Sequence, residues 1–354
     1  MSIPTPLTLL RLAGRSLLRD QASAIAALEY LPAELFPQFF TQAYCRRIPE
    51  PLKAVVHAWP FAVLPLGCLS HLSLDEVFKA VLDGLDVLLA QEVRPRRWKL
   101  RVLDLRNTGA NFWRMWCEDS TQKCSRTGPV AVHSSSPNME HPLAPLEMFL
   151  DLNFNERDRD KFFMYIIQWA RQRKGLAHLC CKSLRFFDVP FERARMVLDA
   201  VQLDCSRRQL KSLHLFGLRL ADFSLESLLA LLEAVAPTLE DLGLDHCGMA
   251  DSHVEAILPV LSRCRQLREF TMSENNFSVA TVEKLLRHTA GLHSLEIELY
   301  PVPLECYRTQ GTVNQERLAL IQAELTGTLR ELGQPRSILL ATKHCSEFYD
   351  VAFS

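Results

Sequence analysis

The sequence lacks most of the features that would announce a chemistry. It has only 13 glycines in 354 residues, and it contains no G-x-x-x-x-G-K-[ST] phosphate loop, G-x-S-x-G elbow, H-E-x-x-H zinc helix or kinase signature set. Cysteine and histidine are present, but a nucleophile pair needs spatial proximity that no sequence supplies. The chain is therefore read as non-catalytic. Its 11 cysteines are odd in number, too sparse for a disulfide scaffold, and nowhere spaced Cys-x-x-Cys. They read as buried, reduced thiols of a cytoplasmic or nuclear protein, and no metal or cofactor is called for. An excess of one charge is also absent. Lys and Arg number 40 against 41 Asp and Glu, so nothing draws the whole chain to nucleic acid or to an anionic membrane surface. No apolar run approaches the roughly 18 residues of a membrane span, and Leu9 to Leu18 is interrupted by Arg11 and Arg15. Arg11, Arg15 and Arg19 with no acid before Asp20 also match the composition of a mitochondrial presequence.

What the sequence does have is a repeat. Leu210-x-x-Leu213-x-Leu215, Leu239-x-x-Leu242-x-Leu244, Leu267-x-x-Phe270-x-Met272 and Leu292-x-x-Leu295-x-Ile297 follow one another at intervals of 29, 28 and 25 residues. This is the strand segment of a leucine-rich repeat. Cys247 and Asn275 fall at the position where a side chain satisfies backbone groups leaving the strand, and Leu218 replaces it in the first unit. Fifteen residues after each leading leucine the period turns helical: Leu225, Leu228, Leu229, Leu232; Val254, Ile257, Leu258, Leu261; Val282, Leu285, Leu286, Thr289. The fold class that follows is α/β, a leucine-rich-repeat solenoid. It is a ribonuclease-inhibitor-like horseshoe, with parallel strands on the concave side, helices on the convex side and a mainly helical N-terminal cap.

Four regions are expected. Residues 1–97 form the helical N-terminal region. In it, Ser73-Leu74-Asp75-Glu76 reads as a capping box opening a helix with the stripe Phe78, Val81, Leu82, Leu85 and Leu89. Residues 98–209 hold irregular repeats, with strands at Leu100-x-x-Leu103-x-Leu105 and Leu176-x-x-Leu179 and a mobile loop over about 119–145. Residues 210–298 are the regular repeats and 299–354 a cap. There Tyr300-Pro301-Val302-Pro303 blocks the strand, Leu318, Ile321, Leu325, Leu329 and Leu332 mark a helix, and Ser337-Ile338-Leu339-Leu340 is one last strand. The basic cluster Arg94-Pro95-Arg96-Arg97-Trp98-Lys99 reads as a solvated rim, and Arg171, Arg173 and Lys174 as cations at a helix end.

Several blocks resemble one family. Leu17-Leu18-Arg19-Asp20, Leu31-Pro32-Ala33-Glu34-Leu35-Phe36-Pro37, Ala58-Trp59-Pro60-Phe61, the stretch Phe78 to Leu100, Leu179-Cys180-Cys181-Lys182 and Leu299-Tyr300-Pro301-Val302-Pro303 are similar to the PRAME family, named after the preferentially expressed antigen of melanoma. The resemblance implies a substrate receptor of a cullin-2 RING ubiquitin ligase that promotes proteasomal degradation. It also implies family roles in repressing transcription, differentiation and apoptosis and in promoting proliferation, in cytoplasm and nucleus. The implied partners are elongin C with elongin B, and cullin-2. Thr8, Leu9, Leu12, Ala13 and Leu17 fit the elongin-binding helix pattern, with Ala13 in place of the more common cysteine, and Leu31, Pro32 and Leu35 resemble the cullin-selecting box. The alternative is a non-ligase interaction scaffold or transcriptional corepressor. Longer members carry extra repeats between the Cys-Cys block and Leu210, and this chain lacks them.

The repeats add a reading independent of the family. The concave positions are Ser212, His214, Phe216; Asp241, Gly243, Asp245; Glu269, Thr271, Ser273; and Ser294, Glu296, Glu298. Five of these are acidic and none is Lys or Arg, so the face is expected to bind a protein substrate through a basic segment, with Phe216 as an apolar anchor.

Overall fold

The computed structural model describes residues 9–67, 75–91, 99–106, 145–155, 158–173, 175–202, 210–219, 224–333, 335–343 and 347–353. The expected loop over about 119–145, the basic cluster and Thr8 lie wholly or almost wholly outside these residues. Two compact units divide the chain: Met1–Leu150 with Tyr165–Cys180, and Asp151–Met164 with Cys181–Ser354.

The first unit opens with helices α1 (Leu9–Leu17), α2 (Gln21–Ala27), α3 (Phe36–Cys45) and α4 (Pro49–His57). Asp20 caps α2, its carboxylate accepting from the Ala22 and Ser23 amides, and Pro49 starts α4 where a missing N–H costs nothing. Helix α5 (Glu76–Leu89) buries the predicted stripe. Its N-cap is Asp75, which accepts from the Phe78 amide at 2.9 Å, rather than Ser73 of the expected capping box, which is outside the described residues. A Cβ at Gly84 would meet the Lys53 carbonyl oxygen at 2.6 Å, so only glycine lets α5 approach α4 this closely. Trp59 is the hub of the core, edge-on to Phe36, Phe40 and Phe61, and its indole N–H donates to the Val63 carbonyl at 2.9 Å. Strands β1 (Val63–Pro65), β2 (Val102–Asp104) and β3 (Leu146–Phe154) pair in parallel with Leu64, Leu103 and Met148 in register, and β2 is the strand expected at Leu103.

Strand β3, helix α6 (Asp158–Gln172) and strand β4 (Ala177–Phe187) run from the residues of one unit into those of the other. Arg173, just past α6, lies over the Trp169 ring and donates to the Trp169 carbonyl and to Asp86, so this expected helix-end cation is a cap.

The second unit is the repeat array. Strands β5 (Ser212–Phe216), β6 (Asp241–Gly243), β7 (Glu269–Thr271), β8 (Ile297–Pro301) and β9 (Arg336–Ala341) continue from β4 in parallel, and β10 (Phe348–Phe353) closes it antiparallel to β9. Helices α7 (Phe191–Gln202), α8 (Leu225–Val235), α9 (Asp251–Leu261), α10 (Val279–Thr289) and α11 (Gln315–Glu331) alternate with them. Leu213, Leu242 and Phe270 share one register and are buried, as are Leu228, Leu232, Val254, Ile257, Val282 and Leu285 on the helices behind them. Asn275 does what its position requires: its amide donates to the Leu244 and Met272 carbonyls at 2.7 and 2.9 Å and accepts from the Met249 amide at 2.9 Å. The Cys247 thiol donates to the Leu215 and Asp245 carbonyls. The architecture is an α/β leucine-rich-repeat solenoid.

The fourth unit corrects the sequence reading. Phe270 pairs with Glu298 and not with Leu295, so the unit starts at Leu295, and the interval from Leu267 is one ordinary repeat of 28 residues. Leu292 instead takes the buried place that Cys264 holds one repeat earlier, and its leucine spacing imitates a strand. Tyr300 and Pro301 belong to β8, with Tyr300 fully buried, so the expected strand block lies beyond them. The cap likewise holds two strands where one was expected.

Candidate functional site

Helix α1 rests against α3, with Gly14 facing the Gln42 side chain, and Leu18, just past the helix, is buried. At 100° per residue, Leu12, Ala13 and Ser16 lie opposite those contacts, and all three are exposed, Leu12 to 46%. Leu17 sits at the flank, half-buried. Leu9 begins the helix, with its side chain outside the described set. The Leu31-Pro32-Leu35 block forms the entry to α3: Pro32 precedes a 3-10 turn (Ala33–Leu35) and is exposed, while Leu31 and Leu35 are half-buried.

On the repeat array the sheet has one face against the helices and one away from them. The register sets out the outer face in rows. Ser183, Ser212, Asp241, Glu269 and Ile297 form one row. Arg185, His214, Gly243, Thr271, Leu299 and Leu339 form the next. Phe187 and Phe216 start a third.

The sequence thus locates the outer positions of β5, β6 and β7, and fails at β8. Because that unit begins three residues later than the leucine spacing indicates, Ser294 and Glu296 precede the strand, and Glu298 points into the core with 3% exposure. Glu298 is ion-paired to Arg336 and accepts from the Tyr300 hydroxyl at 2.7 Å. Glu296 pairs with Arg268 at 2.8 Å, and Lys211 pairs with Glu240 along the same rim. Neither Glu296 nor Glu298 is on the outer face. Ile297 and Leu299 take those places.

Asp245 is committed to the fold, accepting from the Thr271 hydroxyl and from both the amide and hydroxyl of Ser273, each at 2.6 Å. Asp241 and Glu269 make no side-chain hydrogen bond or ion pair among the described residues. His214 lies between them and Arg185. Burial pushes its imidazole below the usual value and Arg185 pushes the same way, against Glu269, Asp245 and Asp241. A Cβ at position 243 would meet its Nδ1 at 2.4 Å, so Gly243 leaves the ring its space. Phe216 stacks between Phe187, 4.2 Å away and almost parallel, and His246 at 5.6 Å, so it is already packed on both sides. Arg185 and Phe187 went unremarked in the sequence, although the alternation around Leu184 and Phe186 marks them as outward-facing. Among the described residues no group of three His, Cys, Asp or Glu side chains is placed to hold a metal ion, and no helix is long and apolar enough to cross a membrane.

The PRAME N-terminal domain matches residues 6–113, and the PRAME C-terminal domain matches residues 146–208 and 206–354. PRAME family member 20 of Homo sapiens is 38% identical across 98% of this chain and 97% of its own length. PRAME family member 12 of Homo sapiens is 37% identical across 98% and 94%. The first alignment has 462 positions against 354 residues, so more than 100 positions of that relative have no counterpart here. A tropomodulin C-terminal domain from Caenorhabditis elegans overlaps 35% of this chain and 69% of its own at 17% identity and a TM-score of 0.26, too little to add to the fold already described. With both family domains matched and relatives of this identity aligned nearly end to end, the chain belongs to the PRAME family.

Proposed function

We propose that this protein is a substrate-recognition receptor of a cullin-2 RING ubiquitin ligase. Helix α1 docks on elongin C, the Leu31-Pro32-Leu35 block meets cullin-2, and the outer strand face of the repeats holds the substrate for ubiquitin-dependent degradation. The protein itself is non-catalytic in this reading. It acts in cytoplasm and nucleus, and its effects on transcription, differentiation, apoptosis and proliferation follow from what it delivers.

The observation that carries the proposal is the outward side of α1. A helix that anchors itself by Gly14 and Leu18 while leaving Leu12, Ala13 and Ser16 in water has an unpartnered stripe of one leucine and two small residues. That is what a partner groove needs for close approach.

The test is affinity purification of the full chain beside a Leu12→Asp/Ala13→Arg variant, with associated proteins identified by mass spectrometry. Both positions are exposed, so the variant keeps its fold, as circular dichroism would verify. Elongin C and cullin-2 with the first chain and not the second support the receptor. Their absence from both, with other partners retained, leaves an interaction scaffold or corepressor.

A further inference from the structure

The outer face of the repeats has a polarity that the family relationship does not supply. Asp241 and Glu269 are neighbours in one row, with no partner for either carboxylate among the described residues, while the surrounding acids are spent: Glu240 on Lys211, Glu296 on Arg268, Glu298 on Arg336, and Asp245 on Thr271 and Ser273. Beside Asp241 in the same row, Ser212 is 6% exposed and its hydroxyl has no hydrogen-bond partner. Nε2 of His214, one row on, is equally buried and equally unpartnered. A desolvated hydroxyl and imidazole left unsatisfied beside two unpaired carboxylates lack hydrogen-bond donors, preferably charged ones.

Next along the rows, the face turns apolar. Ile297 is 49% and Leu339 39% exposed, with the half-buried Leu299 between them. On the opposite side stands Arg185, exposed and with no side-chain partner among the described residues.

We infer that this face recognises one basic side chain, lysine or arginine, of a partner polypeptide between Asp241 and Glu269, and an apolar side chain of the same segment on Ile297, Leu299 and Leu339. This rests on the reading of the strand face as the substrate surface, and it names the substrate class. A guanidinium brings five donors, enough for both carboxylates and the two unpartnered atoms, and an ammonium brings three, enough for both carboxylates and one of them. Strands lie about 4.8 Å apart, so β6 to β8 spans roughly 10 Å, which an extended peptide covers in about three residues. Arg185 sets the other limit, because a long basic run extending over β4 would meet a like charge there.

The experiment is fluorescence polarisation with the full chain and labelled eight-residue peptides. Each carries one lysine and one leucine, separated by one to five serine or glycine residues. Binding should be strongest near a lysine-to-leucine offset of three. It should weaken with salt between 50 and 500 mM by about tenfold or more, and by a similar factor in Asp241→Asn/Glu269→Gln. Neither carboxylate holds the fold together, so this variant stays native and should still bind elongin C as the unmodified chain does. A peptide with three consecutive lysines on the Arg185 side should gain nothing over one with a single lysine, and Arg185→Ala should remove that limit. Affinity indifferent to offset, or unchanged in the double variant, overturns the inference. So does self-association in analytical ultracentrifugation that depends on Asp241, which would make a second copy of this chain the occupant. Peptide recognition without any elongin C binding would instead overturn the receptor reading and leave this one standing.

Discussion

Asn275 and Cys247 hold one repeat position with unequal hydrogen-bonding capacity. Asn275 meets three carbonyls and one amide, all in buried contacts. Asn275→Ala should therefore cost about 3 kcal/mol, read as a lower urea midpoint, and Cys247→Ala should cost clearly less. Burial pushes the Cys247 thiol up to about 12 and the Cys264 and Cys306 thiols to about 11. Iodoacetamide at pH 8 should thus label the exposed Cys45 in the native protein and spare these three until urea unfolds it, as peptide mass spectrometry would show. The two lowered histidines act on stability through pH. Burial holds His57 and His214 below 6.5, so the folded chain binds fewer protons than the unfolded one in the window under that value. Stability then rises with pH up to about 6.5 and is lost as pH falls through the window. Melting temperatures at pH 7.5, 6.5 and 5.5 should decline in that order, and less steeply in His214→Gln.

At the scale of elements, the strand and helix periods of β5 to β7 and α8 to α10 are readable in the sequence because every buried position there is apolar or small. The fourth unit hides itself for the opposite reason. Its central core position is Glu298, a carboxylate made tolerable by Arg336 and Tyr300, and no hydrophobic pattern flags a buried ion pair. The turns leaving the strands share another unreadable regularity: Asp188, Gly217, His246 and Glu274 all have positive φ, and only one of them is glycine. Of the face residues, those set by the leucine frame were found, whereas Ile297, Leu299 and Leu339 were not, because they depend on the shifted register. Glu298→Ala should leave Arg336 buried without its counter-charge, costing about 3–5 kcal/mol in chemical denaturation. Glu298→Leu/Arg336→Leu should recover most of that loss. Gly84→Leu should be comparably severe, since α4 and α5 cannot part without opening the core beneath them.

At the scale of the molecule, the family's C-terminal domain is matched in two segments meeting at 206–208, and more than 100 positions of a full-length relative are missing. That length is close to four repeats. A solenoid tolerates such a loss because each unit contacts only its neighbours, and here β4 pairs directly with β5, Leu184 opposite Leu213. The proposed receptor keeps α1 and the Leu31-Pro32-Leu35 block at full length and presents substrates on fewer strands. Its central claim is the docking of α1, and the most direct measurement is calorimetric titration of the purified full chain with the purified elongin B–elongin C heterodimer. One-to-one binding is expected, disappearing in Leu12→Asp/Ala13→Arg while the variant's melting temperature stays that of the parent. A folded parent chain that gives no binding heat at heterodimer concentrations up to roughly 100 μM would contradict it.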